Sequence, residues 1–272
     1  MARIDDQTLT DLIGAAHAMA DAAREAVLPY FRQANLGADN KAEATGKGDF
    51  DPVTEGDRAA ERAMRAVLAR LRPEDAIIGE EYGETRGTSG LSWVLDPIDG
   101  TRGFLSGTPT WGVLIAVSDQ AGPLLGVIDQ PYIGERFWGA KGAAWCKGPR
   151  GEGAIRTRKA RPLGEAIVFT TFPEVGTADE GAAFHAVAEK CRLVRYGMDC
   201  YAYALVAAGQ IDLVIEAGLS NYDVQAPIAL IEAAGGVVTD WQGGPAHEGG
   251  RILAAANAEI HSEALALLKR CP

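Results

Sequence analysis

The segment Trp93-Val94-Leu95-Asp96-Pro97-Ile98-Asp99-Gly100-Thr101 limits the possible folds of this chain more than any other stretch. An apolar strand runs into an aspartate, Pro97 withdraws a ladder donor, and Asp99-Gly100 turns the chain so that Thr101 can open a helical turn. Two carboxylates and the amides of a helix start therefore converge at one strand end. Carboxylate oxygens suit a hard cation such as Mg²⁺, and the N–H groups of Gly100 and Thr101 would face an anion. Asp-Pro and Asp-Gly are also ordinary turn formers, so a plain turn is the competing reading of this segment alone.

Further acidic positions weigh against the plain turn. Glu80 and Glu81 follow the apolar run Ala76-Ile77-Ile78 and a glycine, which places paired carboxylates at another strand end. Asp223 precedes a helix expected to begin at Val224, where the competing role is an N-cap. Asp57 lies three residues after Thr54 in a capping-box-like pattern. Brought together, Asp57, Glu80, Asp96, Asp99 and Asp223 would repel one another and raise each other's pKa. About three Mg²⁺ ions would offset these roughly five negative charges and leave a site able to accept a phosphate dianion.

The rest of the sequence sets the class. With 272 residues, 47% hydrophobic and 23% charged, the chain reads as a soluble globular protein of one large or two ordinary domains. The expected split gives an α+β domain over 1–150, carrying most metal ligands, and an α/β domain over 151–272, supplying Asp223 and pocket residues. A net charge of -11 without a long Lys/Arg block argues against nucleic acid, and the short basic stretch 156–161 reads as a solvated loop. The nearly uncharged stretch 105–118 is broken by Gly107, Pro109 and Gly112 and falls short of the ~20 residues of a membrane span. Cys146, Cys191, Cys200 and Cys271 are scattered and no signal peptide is expected, so the default compartment is the reducing cytoplasm.

Apolar spacing predicts a helix over 8–31, a mobile loop over 35–50, and a helix capped by Thr54 and stopped by Pro73. Strands at 76–79, 92–95, 112–117, 124–128 and 135–138 should form one sheet. The Gly-rich stretch 141–153 carries no predicted element. Strands at 167–170, 193–195, 211–215, 237–239 and 252–255 then alternate with helices at 180–191, 200–208, 224–234 and a last one ending at Leu268.

Gly79-Glu80-Glu81, Asp96-Pro97-Ile98-Asp99-Gly100-Thr101, and Tyr222-Asp223 followed by Glu232-Ala233-Ala234-Gly235-Gly236 resemble the signatures of the inositol monophosphatase family. Asp51-Pro52-Val53-Thr54-Glu55-Gly56-Asp57 is similar to the family's upstream element, so the resemblance spans nearly the whole chain. It implies a layered α-β-α-β-α sandwich of the metal-dependent sugar-phosphatase type, a homodimer, and Mg²⁺-dependent hydrolysis of a small phosphate monoester. Carried over by position, Glu80, Asp96 and the Ile98 carbonyl would hold one cation, and Asp96, Asp99 and Asp223 a second. A third, weaker site would use Glu80 with Asp57 close by, and Thr101 would orient the attacking water. Two to three Mg²⁺ per site are implied, with no enzyme nucleophile. His17, His185, His247 and His261 pair at no metal-ligand spacing and are expected to be structural.

Within the family, Gly79-Glu80-Glu81-Tyr82-Gly83, Asp99-Gly100-Thr101-Arg102 and Asp199-Cys200-Tyr201-Ala202-Tyr203 look like the histidinol-phosphatase branch, although Met198 stands where that branch would have glycine. Histidinol phosphate carries an amine and an imidazole, so its pocket should offer carboxylates. Asp199 and Glu216 are the candidates, with a helix N-cap and a solvated strand-end charge as their bland alternatives. Gly100, Thr101, Arg102 and Asp223 complete the expected substrate contacts. Inositol 1-phosphate or another small ester is the alternative substrate. A regulatory binding protein that keeps the fold is the alternative of another class.

Overall fold

The computed structural model describes residues 4–33, 37–40 and 52–270. Two helices open the chain: α1 (Asp6–Val27), capped by Asp5, and α2 (Glu55–Leu71), capped by Thr54. Between them the short strands β1 (Ala38–Asn40) and β2 (Pro52–Thr54) pair antiparallel. Part of the stretch expected to be a loop over 35–50 is therefore strand, and the rest of it lies largely outside the described residues.

Eight strands follow: β3 (Ala76–Gly79), β4 (Gly83–Thr85), β5 (Ser92–Asp99), β6 (Gly112–Asp119), β7 (Gly122–Gln130), β8 (Glu135–Ala140), β9 (Ala143–Gly148) and β10 (Gly151–Ile155). They make one sheet in the order β10-β9-β8-β7-β6-β5-β3-β4. Only β3 and β5 run parallel; the other pairs are antiparallel. The six-residue helix α3 (Thr101–Ser106) hangs from the end of β5. The Gly-rich stretch 141–153 folds as the β9–β10 hairpin, which a pattern-based reading passes over because the edge strand β10 is exposed and needs no apolar alternation.

The second half alternates as expected: β11 (Ile167–Thr170), α4 (Ala178–Ala188), β12 (Leu193–Tyr196), α5 (Asp199–Ala207), β13 (Leu213–Leu219), α6 (Asn221–Ala233), β14 (Val237–Asp240), β15 (Gly250–Ala255) and α7 (Ala258–Leu268). Its five-stranded sheet has the order β12-β11-β13-β15-β14. The 156–161 stretch is more than a solvated loop, because Arg158 and Arg161 reach the fully buried Asp212 at 2.9 and 3.3 Å.

Three cores define the layers. Helices α1 and α2 bury Leu12, Met19 and Met64 against Trp93, Leu95 and Ile115 of the large sheet. Helices α5 and α6 fill the space between the sheets, where Tyr203, Val224 and Leu230 meet Leu114 and Ile128 on one side and Val214 and Ala254 on the other. Helices α4 and α7 cover the outer face of the small sheet through Phe184, Ile260 and Ala264. The result is the expected α-β-α-β-α sandwich. Every residue of α6 from Val224 to Ile231 is buried, as a helix covered on both sides requires. Gly126 of β7 makes that approach possible, since a methyl group there would overlap the Ala226 carbonyl.

Buried charge ties α1 to the sheet. Asp129 is fully buried and accepts from Arg24 at 2.7 and 3.2 Å and from Arg136 Nε at 2.7 Å. Among the described residues, no helix is long and apolar enough to cross a membrane.

Candidate active site

The pairing of β5 with β6 shifts register between Asp96 and Asp99, where Pro97 offers no ladder donor. Both carboxylates are thereby aimed beyond the strand end. Asp96 Oδ1 accepts the Ile98 N–H at 3.0 Å, and Asp99 Oδ2 accepts the Cys200 N–H at 2.6 Å. Gly100 takes a left-handed conformation (φ 85°) ahead of α3, and the Thr101 hydroxyl donates to the Ile98 carbonyl at 3.1 Å. Asp223 stands at the third position of α6 rather than ahead of the helix. Ser220 is the cap, and its N–H donates to Asp223 Oδ2 at 2.6 Å in a capping box that starts the helix three residues earlier than expected.

Oxygens of Asp96, Asp99 and Asp223 all lie within 4.8 Å of one another. Glu80, just past β3, donates its N–H to the Leu95 carbonyl at 3.1 Å and hydrogen-bonds Asp96 through its side chain. Burial, followed by the charges of Glu80, Asp99 and Asp223, holds the Asp96 carboxyl well above the usual carboxylate range. Burial and then Asp199 and Asp223 do the same to Asp99. An all-oxygen set of crowded carboxylates, Asp96 buried and Asp99 and Asp223 half-buried, fits a hard divalent cation, whose charge would relieve the repulsion that raises these pKa values.

The other predicted residues are placed as follows. Asp57 is buried at the third position of α2, and its Oδ2 accepts the N–H and hydroxyl of Thr54 at 2.8 and 2.6 Å; it is not one of the three carboxylates that meet. Asp199 is no helix cap. It opens α5 with φ 46°, and its carboxyl lies against Gly100 and 3.4 Å from the Thr110 hydroxyl. Burial and Glu216 push the Asp199 carboxyl up to about 6, against the opposing pull of Thr110 and Arg102. Glu216 is buried rather than solvated: Thr171 donates to it from both N–H (2.9 Å) and hydroxyl (2.5 Å), and Tyr203 from its hydroxyl at 2.7 Å. The Arg102 guanidinium sits 4.9 Å from the Phe172 ring centroid.

The histidines stand elsewhere; His17 packs edge-on against Trp138, and His261 contacts Thr239. Sequence reasoning passed over Thr171, Phe172 and Glu61. The first two follow an apolar strand as ordinary loop residues, whereas Glu61 carried a usable signal: it repeats the four-residue spacing from Asp57 to Arg65 on one face of α2.

Comparison with known proteins agrees with this arrangement. The model of the inositol monophosphatase family matches residues 8–272. The bifunctional phosphatase IMPL2, chloroplastic, of Arabidopsis thaliana is 38% identical over 98% of this chain and 77% of its own length. The histidinol-phosphatase of Streptomyces coelicolor is 33% identical over 94% and 96%. An inositol monophosphatase structure from Zymomonas mobilis superposes with a TM-score of 0.83 at 39% identity, covering 96% of this chain and 98% of that one. That family consists of metal-dependent phosphatases, usually with Mg²⁺. In sequence, fold and the convergence of its acidic motifs, this chain belongs to the inositol monophosphatase family.

Proposed function

We propose that the chain hydrolyses L-histidinol phosphate to L-histidinol and phosphate, as a Mg²⁺-dependent phosphomonoesterase. The observation that carries the substrate choice is the pair Asp199 and Glu216 beside Asp99. Each is close enough to perturb the titration of its neighbour, as Glu216 does Asp199 and Asp199 does Asp99. A ligand amine or imidazolium is the natural counter-charge for such a pair. A polyol such as inositol brings hydroxyls alone and adds no charge to the partial counter-charge that Arg102 gives Asp199.

Glu80, Asp96 and the Ile98 carbonyl would hold one Mg²⁺, and Asp96, Asp99 and Asp223 a second, with Asp57 near a third, weaker position. When bound, the cations neutralise phosphate charge and acidify the attacking water. The chain's own groups do the positioning. Because the Thr101 hydroxyl already donates to Ile98, it presents lone pairs and can accept a hydrogen bond from that water. The Gly100 and Thr101 amides bind phosphate oxygens, and Arg102 sets the wall beside Asp199. Tyr203 and Thr171 keep Glu216 fixed, so its charge reaches the substrate through Asp199 more than by direct contact.

The test compares kcat/KM for L-histidinol phosphate with that for inositol 1-phosphate, in Mg²⁺ and in chelator. A preference of roughly a hundredfold or more for the former, about 2.7 kcal/mol of transition-state binding, is expected. The reverse preference would move the assignment to inositol 1-phosphate, a reading that the Zymomonas mobilis structure supports by its name.

A further inference from the structure

Glu61 has no part in the chemistry described so far, yet it is a fully buried carboxylate whose two oxygens are both in use. It sits on α2 and faces the turn between β3 and β4. Its Oε2 accepts the Glu81 N–H at 2.7 Å; its Oε1 accepts the Tyr82 N–H at 3.2 Å and Arg65 Nε at 2.7 Å. Arg65 continues the grip, donating to the Gly83 carbonyl at 2.5 Å and to the Thr85 hydroxyl at 3.0 Å. Gly79 lacks a side chain for the same reason: a methyl group there would overlap the Glu61 carboxylate and come within 2.8 Å of Arg65.

Three consecutive amides, those of Glu80, Glu81 and Tyr82, are thus bound to fixed acceptors: Leu95 on the sheet for the first and Glu61 on the helix for the other two. The turn cannot rotate about β3 without breaking them. What the turn carries is the Glu80 side chain, which meets Asp96. Burying an ion pair is a poor route to stability, since its desolvation cost is comparable to its Coulomb gain. It is a good route to a single geometry, which a cation site needs within about 0.5 Å.

We infer that Glu61 is a positioning residue for the cation site: held by Arg65, its carboxylate fixes the turn 79–82 and so sets Glu80 against Asp96. This rests on the reading of Glu80 and Asp96 as cation ligands. The experiment is Mn²⁺ binding to the purified chain, followed by electron paramagnetic resonance and calorimetry without substrate, for wild type, Glu61→Gln, Asp96→Asn and Leu268→Ala. Glu61→Gln should weaken Mn²⁺ binding about tenfold or more, the usual effect of losing an outer partner of a metal ligand. Leu268→Ala, a cavity in the distant core, should lower the melting temperature and leave Mn²⁺ affinity unchanged. Mn²⁺ affinity in folded Glu61→Gln within about twofold of wild type, with Asp96→Asn weakened, would overturn the inference and spare the cation reading. Wild-type binding by Asp96→Asn would overturn both. Should Glu61→Gln not fold, Arg65→Lys probes the same grip by removing the Nε donor and the reach to Gly83; it should weaken Mn²⁺ severalfold, and unchanged binding would equally sink the proposal.

Discussion

Asp99 Oδ2 and the Cys200 backbone N–H are joined at 2.6 Å across 101 positions of sequence. A carboxylate at the end of the large sheet is thereby anchored in the first turn of α5, a helix lying between the sheets. The next residue back, Asp199, takes a left-handed backbone that costs a non-glycine residue about 1 kcal/mol or more. That strained turn places both an amide on Asp99 and a carboxyl against Gly100. One local distortion serves the proposed cation site and the proposed pocket wall together.

Asp96→Asn should cut kcat at least ~10²-fold, because the residue lies in both proposed cation positions and the lost charge stabilisation is several kcal/mol. The same change should raise the melting temperature of the metal-free protein by a few degrees. Burial and three neighbouring carboxylates disfavour the charge there, and asparagine keeps the oxygen that Ile98 needs. Steady-state kinetics beside calorimetry in chelator checks both halves.

Asp199→Asn should raise KM for L-histidinol phosphate roughly tenfold to a hundredfold and leave inositol 1-phosphate nearly unaffected, since a charged hydrogen bond contributes ~1.5 to 3 kcal/mol. With its carboxyl pushed up to about 6, Asp199 is an anion only above that pH. KM of the wild type for the cationic ester should therefore rise as pH falls through 6. In Asp199→Asn that step should shrink to the part due to the substrate's own imidazole and phosphate, whose second pKa is about 6. Parallel pH profiles in the two proteins would place Asp199 outside the pocket.

Stability should depend on Mg²⁺ more strongly at neutral than at acid pH. The folded pKa values of Asp96, Asp99, Asp199 and Glu216 all lie above their unfolded values, so between about pH 4 and 6 the folded state binds more protons than the unfolded one. The contribution of these groups to stability in metal-free protein is thus full at low pH and lost as pH rises. Mg²⁺ and protons compete for the same oxygens. Melting curves at pH 5 and 7.5, with and without Mg²⁺, should show the larger Mg²⁺-induced rise at pH 7.5; an equal rise would contradict the placement of cations at these carboxylates.

Asp129→Ala should destabilise the protein by about 3 kcal/mol or more, because Arg24 and Arg136 would lose the buried counter-charge they share. Urea unfolding followed by fluorescence measures this directly. Asp129 pairs with Val113, level with Asp96 and Asp99, but its side chain turns to the α1 face of the sheet, where it meets Arg24, so kcat/KM of the folded fraction should hold.

Where residue type and chemistry coincide in one short segment, the sequence was readable: residues 96–101 and 79–81 announced two of the converging corners, period and caps located α2, and the layered order followed from the family resemblance. Three things depended on tertiary context. Asp223 looked like a cap because Ser220 and Asp223 both suit that role, and only the folded turn shows which residue plays it. Glu216 was a candidate pocket carboxylate with a solvated strand-end charge as the alternative, and neither reading could show that Tyr203 and Thr171 arrive from other elements to satisfy it. Glu61 resembled any charged helix residue until β3 and its turn were laid against it.

Helix α6 holds Asp223 at one tip while its whole length is sandwiched between sheets drawn from opposite halves of the chain. During synthesis, Asp96 and Asp99 leave the ribosome long before Asp223 does. Until the last third of the polypeptide has docked, a nascent chain carries repelling acids without the third carboxylate that completes the cluster. A fragment that ends before α6 therefore lacks one of the three carboxylates of the cluster.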